Sequence, residues 1–207
     1  HHSVNPPPSW PLLYRPGPAR LGLMMLAISV MSGFLLIPHL STFYQINMSY
    51  PREDIGMLYL DGGILSFFSM RLAGRCSDYF GPVKVSWVVT VGYLVVLWVT
   101  FIHTQWWLPV MVMFVSFMLI RTSLSVAVNT QLSWVPPPEQ RAAFMSLKTA
   151  VQHAATAMGG IVSTWILSQD EHGALQNIAA LSVLAAVLAV LQPVFMARLQ
   201  RQMGEKQ

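Results

Sequence analysis

The sequence predicts an all-α integral membrane protein with six transmembrane helices. Hydrophobic residues make up 54% of the 207 residues and charged residues only 10%, and the mean hydropathy is +0.52, values far from those of soluble proteins. Six apolar runs are each long enough, at roughly 20 residues, to cross a hydrocarbon core of about 30 Å. Lysine and arginine residues gather in alternate loops, as they do in multi-pass membrane proteins.

The six predicted spans cover residues 20–40, 55–72, 84–102, 107–130, 144–167 and 175–197. The second span is short and contains Asp61, and the fourth is long enough to tilt. Because lipid cannot satisfy backbone hydrogen bonds, each span must be a helix or belong to a closed barrel. Runs such as VVLWVTFI and LSVLAAVLAVL are apolar on every side, whereas barrel strands alternate. We therefore expect helices.

The charge distribution predicts the topology. If both termini are cytoplasmic, ten basic residues fall on that side: Arg15, Arg20, Arg71, Arg75, Lys84, Arg141, Lys148, Arg198, Arg201 and Lys206. We expect residues 1–19 to form a cytoplasmic leader, residues 20–200 the transmembrane domain and residues 201–207 a cytoplasmic tail, in the inner or plasma membrane. The formal charge of +4 reflects this topology, and no nucleic-acid partner is expected.

Motifs of soluble enzymes are absent from the sequence. There is no Walker loop, GxSxG elbow, HExxH motif or Rossmann fingerprint, so we expect neither an enzyme nor a cofactor. Cys76 is the only cysteine, which excludes an internal disulfide and a cysteine-based metal cluster. An intramembrane hydrolase would need an activated serine beside a histidine, for which Ser163 or Ser116 with His153 are the candidates.

Three ionisable residues within the spans are candidates for function, since charge is costly in lipid and usually faces a partner or a cavity. Arg121 lies about 14 residues along the fourth span, closer to the cytoplasmic face, and either lines a pathway or is a structural arginine at a helix end. Asp61 is the only acid inside a span and either carries a proton or is a hydrated residue at a cavity mouth. His153 either contacts a solute or relays protons, or bonds between helices as a neutral group.

The stretch RLAGRCSDYFGPVK between the second and third spans carries a recognisable pattern. Gly74 lets another backbone approach, Asp78 is suited to accept hydrogen bonds at a neighbouring helix N-terminus, and Gly81 permits a sharp turn. Lys84 follows at the start of the next span. Further along the chain, Ala155-x-x-x-Gly159 predicts close helix packing.

This GxxxDxxG pattern, followed by Lys84, resembles the loop signature of the major facilitator superfamily, with Tyr79 in place of the usual basic residue. The segment VPPPEQRAAFMSLKTAVQHAATAMGG is similar to the connection between helices ten and eleven of its efflux proteins. Over residues 20–200 the order of features resembles helices seven to twelve. The resemblance implies a half-bundle of two inverted three-helix repeats, the C-terminal half of a drug or sugar efflux transporter.

That resemblance also implies a mechanism and partners. A small organic solute would exchange for protons by rocking against an N-terminal six-helix half, on the same polypeptide or a second chain. Asp61, Arg121 and His153 would serve the pathway and proton coupling, and Gly74, Asp78, Gly81 and Lys84 a cytoplasmic latch. The alternative is a half-size or degenerate membrane subunit without transport activity of its own.

Overall fold

The computed structural model describes residues 17–103 and 108–204, and 86% of them are helical. Six long helices make up the bundle: α1 (Pro18–Phe34), α2 (Ile55–Phe80), α3 (Pro82–Leu97), α4 (Val110–Ser133), α5 (Arg141–Ile166) and α6 (Ile178–Gly204). They occupy the six predicted segments with shifted ends. Residues 1–16 of the predicted leader and 205–207 of the predicted tail lie outside the described residues.

Within residues 17–103 and 108–204, four helical segments are long and apolar enough to span a membrane: Pro18–Asn47, Pro82–Ile102, Val110–Ser133 and Ile178–Gly204. The other two long helices, α2 and α5, have 26 residues each but are less apolar. Large apolar side chains lie on the outside of the bundle, with Val88 74% and Trp165 79% exposed. Soluble monomers rarely carry so much exposed apolar surface, which a lipid environment covers.

Proline and glycine mark several helix boundaries. Pro18 and Pro82 occupy the first turns of α1 and α3, where a missing N–H costs nothing. Pro38 follows α1 within a 3₁₀ turn (Ile37–His39), after which a helical turn (Leu40–Thr42) and a π-helical turn (Phe43–Asn47) complete the segment. A second π-helical turn, Trp98–Ile102, follows α3, so both segments lengthen beyond their regular α-helices.

The predicted extracellular ends carry a small hairpin that the sequence did not suggest. Strands β1 (Ser168–Gln169) and β2 (Leu175–Gln176) pair antiparallel between α5 and α6. Asn47 extends this pairing, because its amide donates to the Leu175 carbonyl and accepts from the Leu175 N–H, each at 2.9 Å. The hairpin is thereby fastened to the end of the first helical segment.

Helix packing places α1 and α4 at the centre. The α1 helix packs mainly on α5 and α6, and α4 packs mainly on α2 and α3, while α3 also contacts α6. Ala155 and Gly159 of α5 are buried, and a Cβ built on Gly159 would lie 3.1 Å from the Cβ of Phe34. The predicted close packing along this stripe is therefore confirmed.

The buried interior has two apolar clusters. The larger includes Leu35, Tyr44 and Phe114, and the smaller includes Leu26, Leu132 and Phe144. Polar groups of α1, α3 and α4 contact one another inside the bundle: Ser29, Ser32 and Tyr93 are buried, and Arg121 is half-buried. These polar groups position the candidate site.

Candidate functional site

A groove of about 570 Å³ opens between α1, α2, α4 and α5. Leu26, Val30 and Phe34 of α1 and Ile37 of the following 3₁₀ turn form one apolar wall, and methionines of α2 and α4 continue it. Its polar side chains come mostly from one face of α4 and from α5: Arg121, Thr122, Ser125, Asn129, Thr130 and Gln152. The size and the mixture of apolar wall and few polar groups are those of small-molecule sites.

Arg121 is the charged side chain of this groove. Its Nη2 donates to the backbone carbonyl of Ser29 on α1 at 2.9 Å, and its Cζ lies 5.4 Å from the ring centre of Tyr93 on α3. A cation at that distance from an aromatic face is attracted to it. The guanidinium thus joins three helices, yet its Nε and Nη1 are buried without a partner among the described residues.

The position of Arg121 along its helix differs from the expected one. The fourth helix begins at Val110 rather than 107 and ends at Ser133, so Arg121 lies eleven residues from one end and twelve from the other. It is therefore at the middle of α4, about 16 Å from its start. Pro109 starts the helix later than the apolar run suggests, so Arg121 is nearer the middle of its helix than the predicted bounds gave; its position closer to the cytoplasmic face stays a prediction.

The other two candidates do not line this groove. Asp61 is half-buried, six residues into α2, and His153 is exposed on α5. The residue before it, Gln152, faces the groove instead, because successive residues of a helix point about 100° apart. The structure therefore does not bring Asp61, Arg121 and His153 together within this chain.

The residues of the proposed latch lie around the junction of α2 and α3. The segment expected to be a loop is helical as far as Phe80, so Gly74 and Asp78 belong to the last turns of α2. Gly81 has φ +89°, a backbone conformation that favours glycine, and its N–H donates to the Ser77 carbonyl at 3.0 Å. The expected sharp turn is present, and Lys84 lies exposed in the first turn of α3.

The expected contacts of Gly74 and Asp78 are not made within the described residues. A Cβ built on Gly74 would meet no atom within 4 Å, and Asp78 is exposed at the end of α2 rather than at the start of a neighbouring helix. Both positions face outward from this bundle. Any close approach or capping at these two residues has to come from a surface other than the described part of the chain.

Ser163 of α5 pairs with a histidine other than the one considered from the sequence. Its Oγ lies 2.7 Å from Nε2 of His39 and also donates to the Gly160 carbonyl at 2.7 Å. Ser163 is 0% exposed. The pair links the end of the first helical segment to α5, and its burial suits a structural contact between helices.

The polar residues that line the groove beside Arg121 were not predicted from the sequence. Ser125 and Asn129 follow Arg121 at intervals of four, which places all three on one face of α4, and the Asn129 amide donates to the Ser125 carbonyl at 2.8 Å. Thr122 lies beside them. The spacing of polar residues at positions 121, 125 and 129 within an apolar span was the available signal.

The fold and the groove define the class: a helical, membrane-embedded protein with a groove of mixed polar and apolar lining between four of its helices. No protein-family model matches this chain, and no curated protein is significantly similar to it.

Proposed function

We propose that this chain is the C-terminal six-helix half of a secondary transporter of the major facilitator type, which moves a small organic solute by alternating access in exchange for protons. The observation that carries the proposal is the groove with Arg121 at mid-helix depth. A half-buried arginine beside an open groove is costly in a membrane and typical of a solute pathway.

The pattern of helix contacts supports two related three-helix repeats. If α1, α2 and α3 are exchanged with α4, α5 and α6, the pair α1·α5 becomes α4·α2, and α1·α6 becomes α4·α3. The contacts between α3 and α6 and between α1 and α4 are unchanged by this exchange. Transporter halves built from inverted repeats have this kind of exchange, with the solute site beside the repeat interface.

The two less apolar helices also fit the proposal. The α2 and α5 helices correspond under the same exchange, and both border the groove through Met70 and Gln152. His153 is exposed on the same helix as Gln152. We propose that these two helices face the N-terminal half, that His153 and Asp61 take part in proton coupling, and that both termini are cytoplasmic.

Thiol labelling tests the pathway without knowledge of the solute. In a Cys76→Ala background, Ser125→Cys places a thiol in the groove and Val91→Cys places one on the outer face of α3, where Val91 is 59% exposed. A membrane-impermeant reagent should label the groove thiol about tenfold faster or more, since reaction requires the hydrated thiolate. Equal, slow labelling of both would contradict a water-filled pathway.

Proton coupling is tested with the same labelling in sealed vesicles from native membranes, which contain the N-terminal half required for alternating access. Alternating access predicts that an imposed pH gradient changes the ratio of labelling from the two sides. We expect Asp61→Asn and His153→Gln to weaken that dependence. If both variants retain it in full, the two roles are wrong; if the parent protein shows no dependence at all, the chain is better described as a non-transporting membrane subunit.

A further inference from the structure

Two nitrogens of Arg121 have no hydrogen-bond acceptor among the described residues. A guanidinium has five N–H donors, and Nη2 of Arg121 donates to the Ser29 carbonyl at 2.9 Å. Nε and Nη1 are buried and have no acceptor among the described residues. Leaving charged donors buried and unpaired is costly, so a negative charge in the groove beside the guanidinium would offset part of that cost.

The lining of the groove supplies no counter-charge. None of its residues is an aspartate or glutamate, and Arg121 is the one side chain there with a fixed charge. The neighbouring polar groups are the neutral side chains of Thr122, Ser125, Asn129 and Gln152. A single positive charge in a groove without acids favours one negative charge on the occupant.

The opposite wall favours an apolar body. Leu26, Val30 and Phe34 of α1, with Ile37 just beyond its end, line the groove with aliphatic and aromatic side chains, and the polar row of α4 lines it too. A ligand that carries both an anionic head and an apolar body would satisfy both sides of the groove. A sugar would leave the apolar wall uncovered, and a cation would be repelled by the guanidinium.

We infer that the groove binds a small amphipathic monocarboxylate, with its carboxylate at Arg121 and its apolar body along α1. This inference rests on the proposed function, since it names the solute class of the same groove. The failure of this inference can be told apart from the failure of the proposed function. A water-accessible pathway that selects neutral or cationic solutes would support transport but contradict the preference for an anion.

The binding experiment uses the whole chain in neutral-lipid nanodiscs and three probes with one apolar body. These are 4-phenylbutyrate, 4-phenylbutanamide and 4-phenylbutylamine, compared by equilibrium dialysis at pH 7.5. We expect the acid to bind about tenfold or more tightly than the amide, as is usual for a hydrogen bond to a charged group, and the amine not to bind. Equal binding of the three probes, or no binding of the acid, would overturn the inference.

Two arginine variants test whether Arg121 causes the preference for the acid. Arg121→Gln should reduce the affinity for the acid to that for the amide, while Arg71→Gln, which alters an exposed arginine of α2 outside the groove, should leave it unchanged. Retention of the acid preference by a folded Arg121→Gln protein would overturn the inference. Ser125→Leu fills the groove without altering Arg121, and it should abolish binding of the acid, which decides the matter if Arg121→Gln does not fold.

Discussion

The Nη2 of Arg121 on α4 donates a hydrogen bond to the backbone carbonyl of Ser29 on α1, at 2.9 Å. The guanidinium reaches this carbonyl by lying across Gly33, one turn further along α1. A small residue at position 33 is therefore part of what allows an arginine from the neighbouring helix to occupy the middle of the bundle.

Gly33→Ala should displace the Arg121 guanidinium while the helix itself remains intact. A Cβ at position 33 would lie 2.7 Å from Cζ of Arg121, and a long side chain moves more readily than a backbone. We expect phenylbutyrate affinity to fall about tenfold, since a hydrogen bond to a charged group is worth about 1.5–3 kcal/mol. Gly63→Ala, on an exposed part of α2 with nothing within 4 Å, is the matched control in the same dialysis assay.

Ser163→Ala should destabilise the bundle, because it removes the partner of His39 Nε2. Loss of one partly buried hydrogen bond costs about 1 kcal/mol, or more where the remaining group stays unpaired. The adjacent Thr164 is exposed, and its hydroxyl bonds only within α5, to Ile161. Thermal unfolding in detergent should show a lower midpoint for Ser163→Ala than for Thr164→Ala; equal midpoints would mean that the pair carries no stability.

Alanine substitution should change stability in opposite directions at Gly81, just after α2, and at Gly74, inside the last turns of α2. Gly81→Ala introduces a side chain at φ +89° and should destabilise by about 1 kcal/mol or more. Gly74→Ala lies inside a helix with open space around it, so it should be neutral or stabilising by up to about 1 kcal/mol in this chain. Chemical denaturation of the two variants checks both signs.

The proposed latch adds a second readout for Gly74. If Gly74 and Asp78 contact the other transporter half, Gly74→Ala and Asp78→Asn should both weaken the dependence of Ser125→Cys labelling on an imposed pH gradient, although neither lowers the stability of this chain. Normal labelling behaviour in both variants would contradict the latch.

Asp170 in the hairpin should titrate below an ordinary aspartate. The Ala174 N–H donates to its carboxylate at 2.8 Å, and the His172 N–H donates at 2.9 Å; these bonds lower the pKa of Asp170 from its usual 3.8. Because the folded pKa is the lower one, the associated hairpin stability is present above pH 3.8 and is lost as pH falls through the folded pKa. Carbon-13 NMR of the Asp170 carboxyl measures the shift.

Gly173 in the same turn allows a test of whether the backbone N–H groups lower the pKa of Asp170. Gly173 has φ +80°, and Gly173→Ala should open the turn and raise the pKa of Asp170 toward its usual value. A pKa that stays low in this variant would show that the backbone N–H groups of the turn are not responsible.

The positions of the helices were largely predictable from the sequence, and their ends were less so. All six predicted segments coincide with long helices, because an apolar run of membrane length has few other ways to satisfy its backbone. The end of α2 was misjudged: Arg71, Arg75 and Asp78 interrupt the apolar run, yet the helix continues to Phe80. The charged residues mark the end of the apolar run, whereas the helix itself ends at Gly81.

The hairpin between α5 and α6 had no clear signal in the sequence. Its strands have two residues each, too few for an alternating pattern, and the Asn47 side chain that fastens them is 128 residues away in the chain. Pairings at such a separation depend on where the helices pack, which local sequence does not encode.

The sequence by itself determined the apolar composition, the helical segments, the turn at Gly81 and the candidacy of Arg121, because backbone hydrogen bonding, side-chain hydropathy and glycine conformation act locally. Only the tertiary structure decided which polar residues share a groove. Gln152 and His153 are neighbours in the chain, yet about 100° separates them around α5, and the packing of α5 on α1 turns Gln152 toward Arg121 and leaves His153 outside.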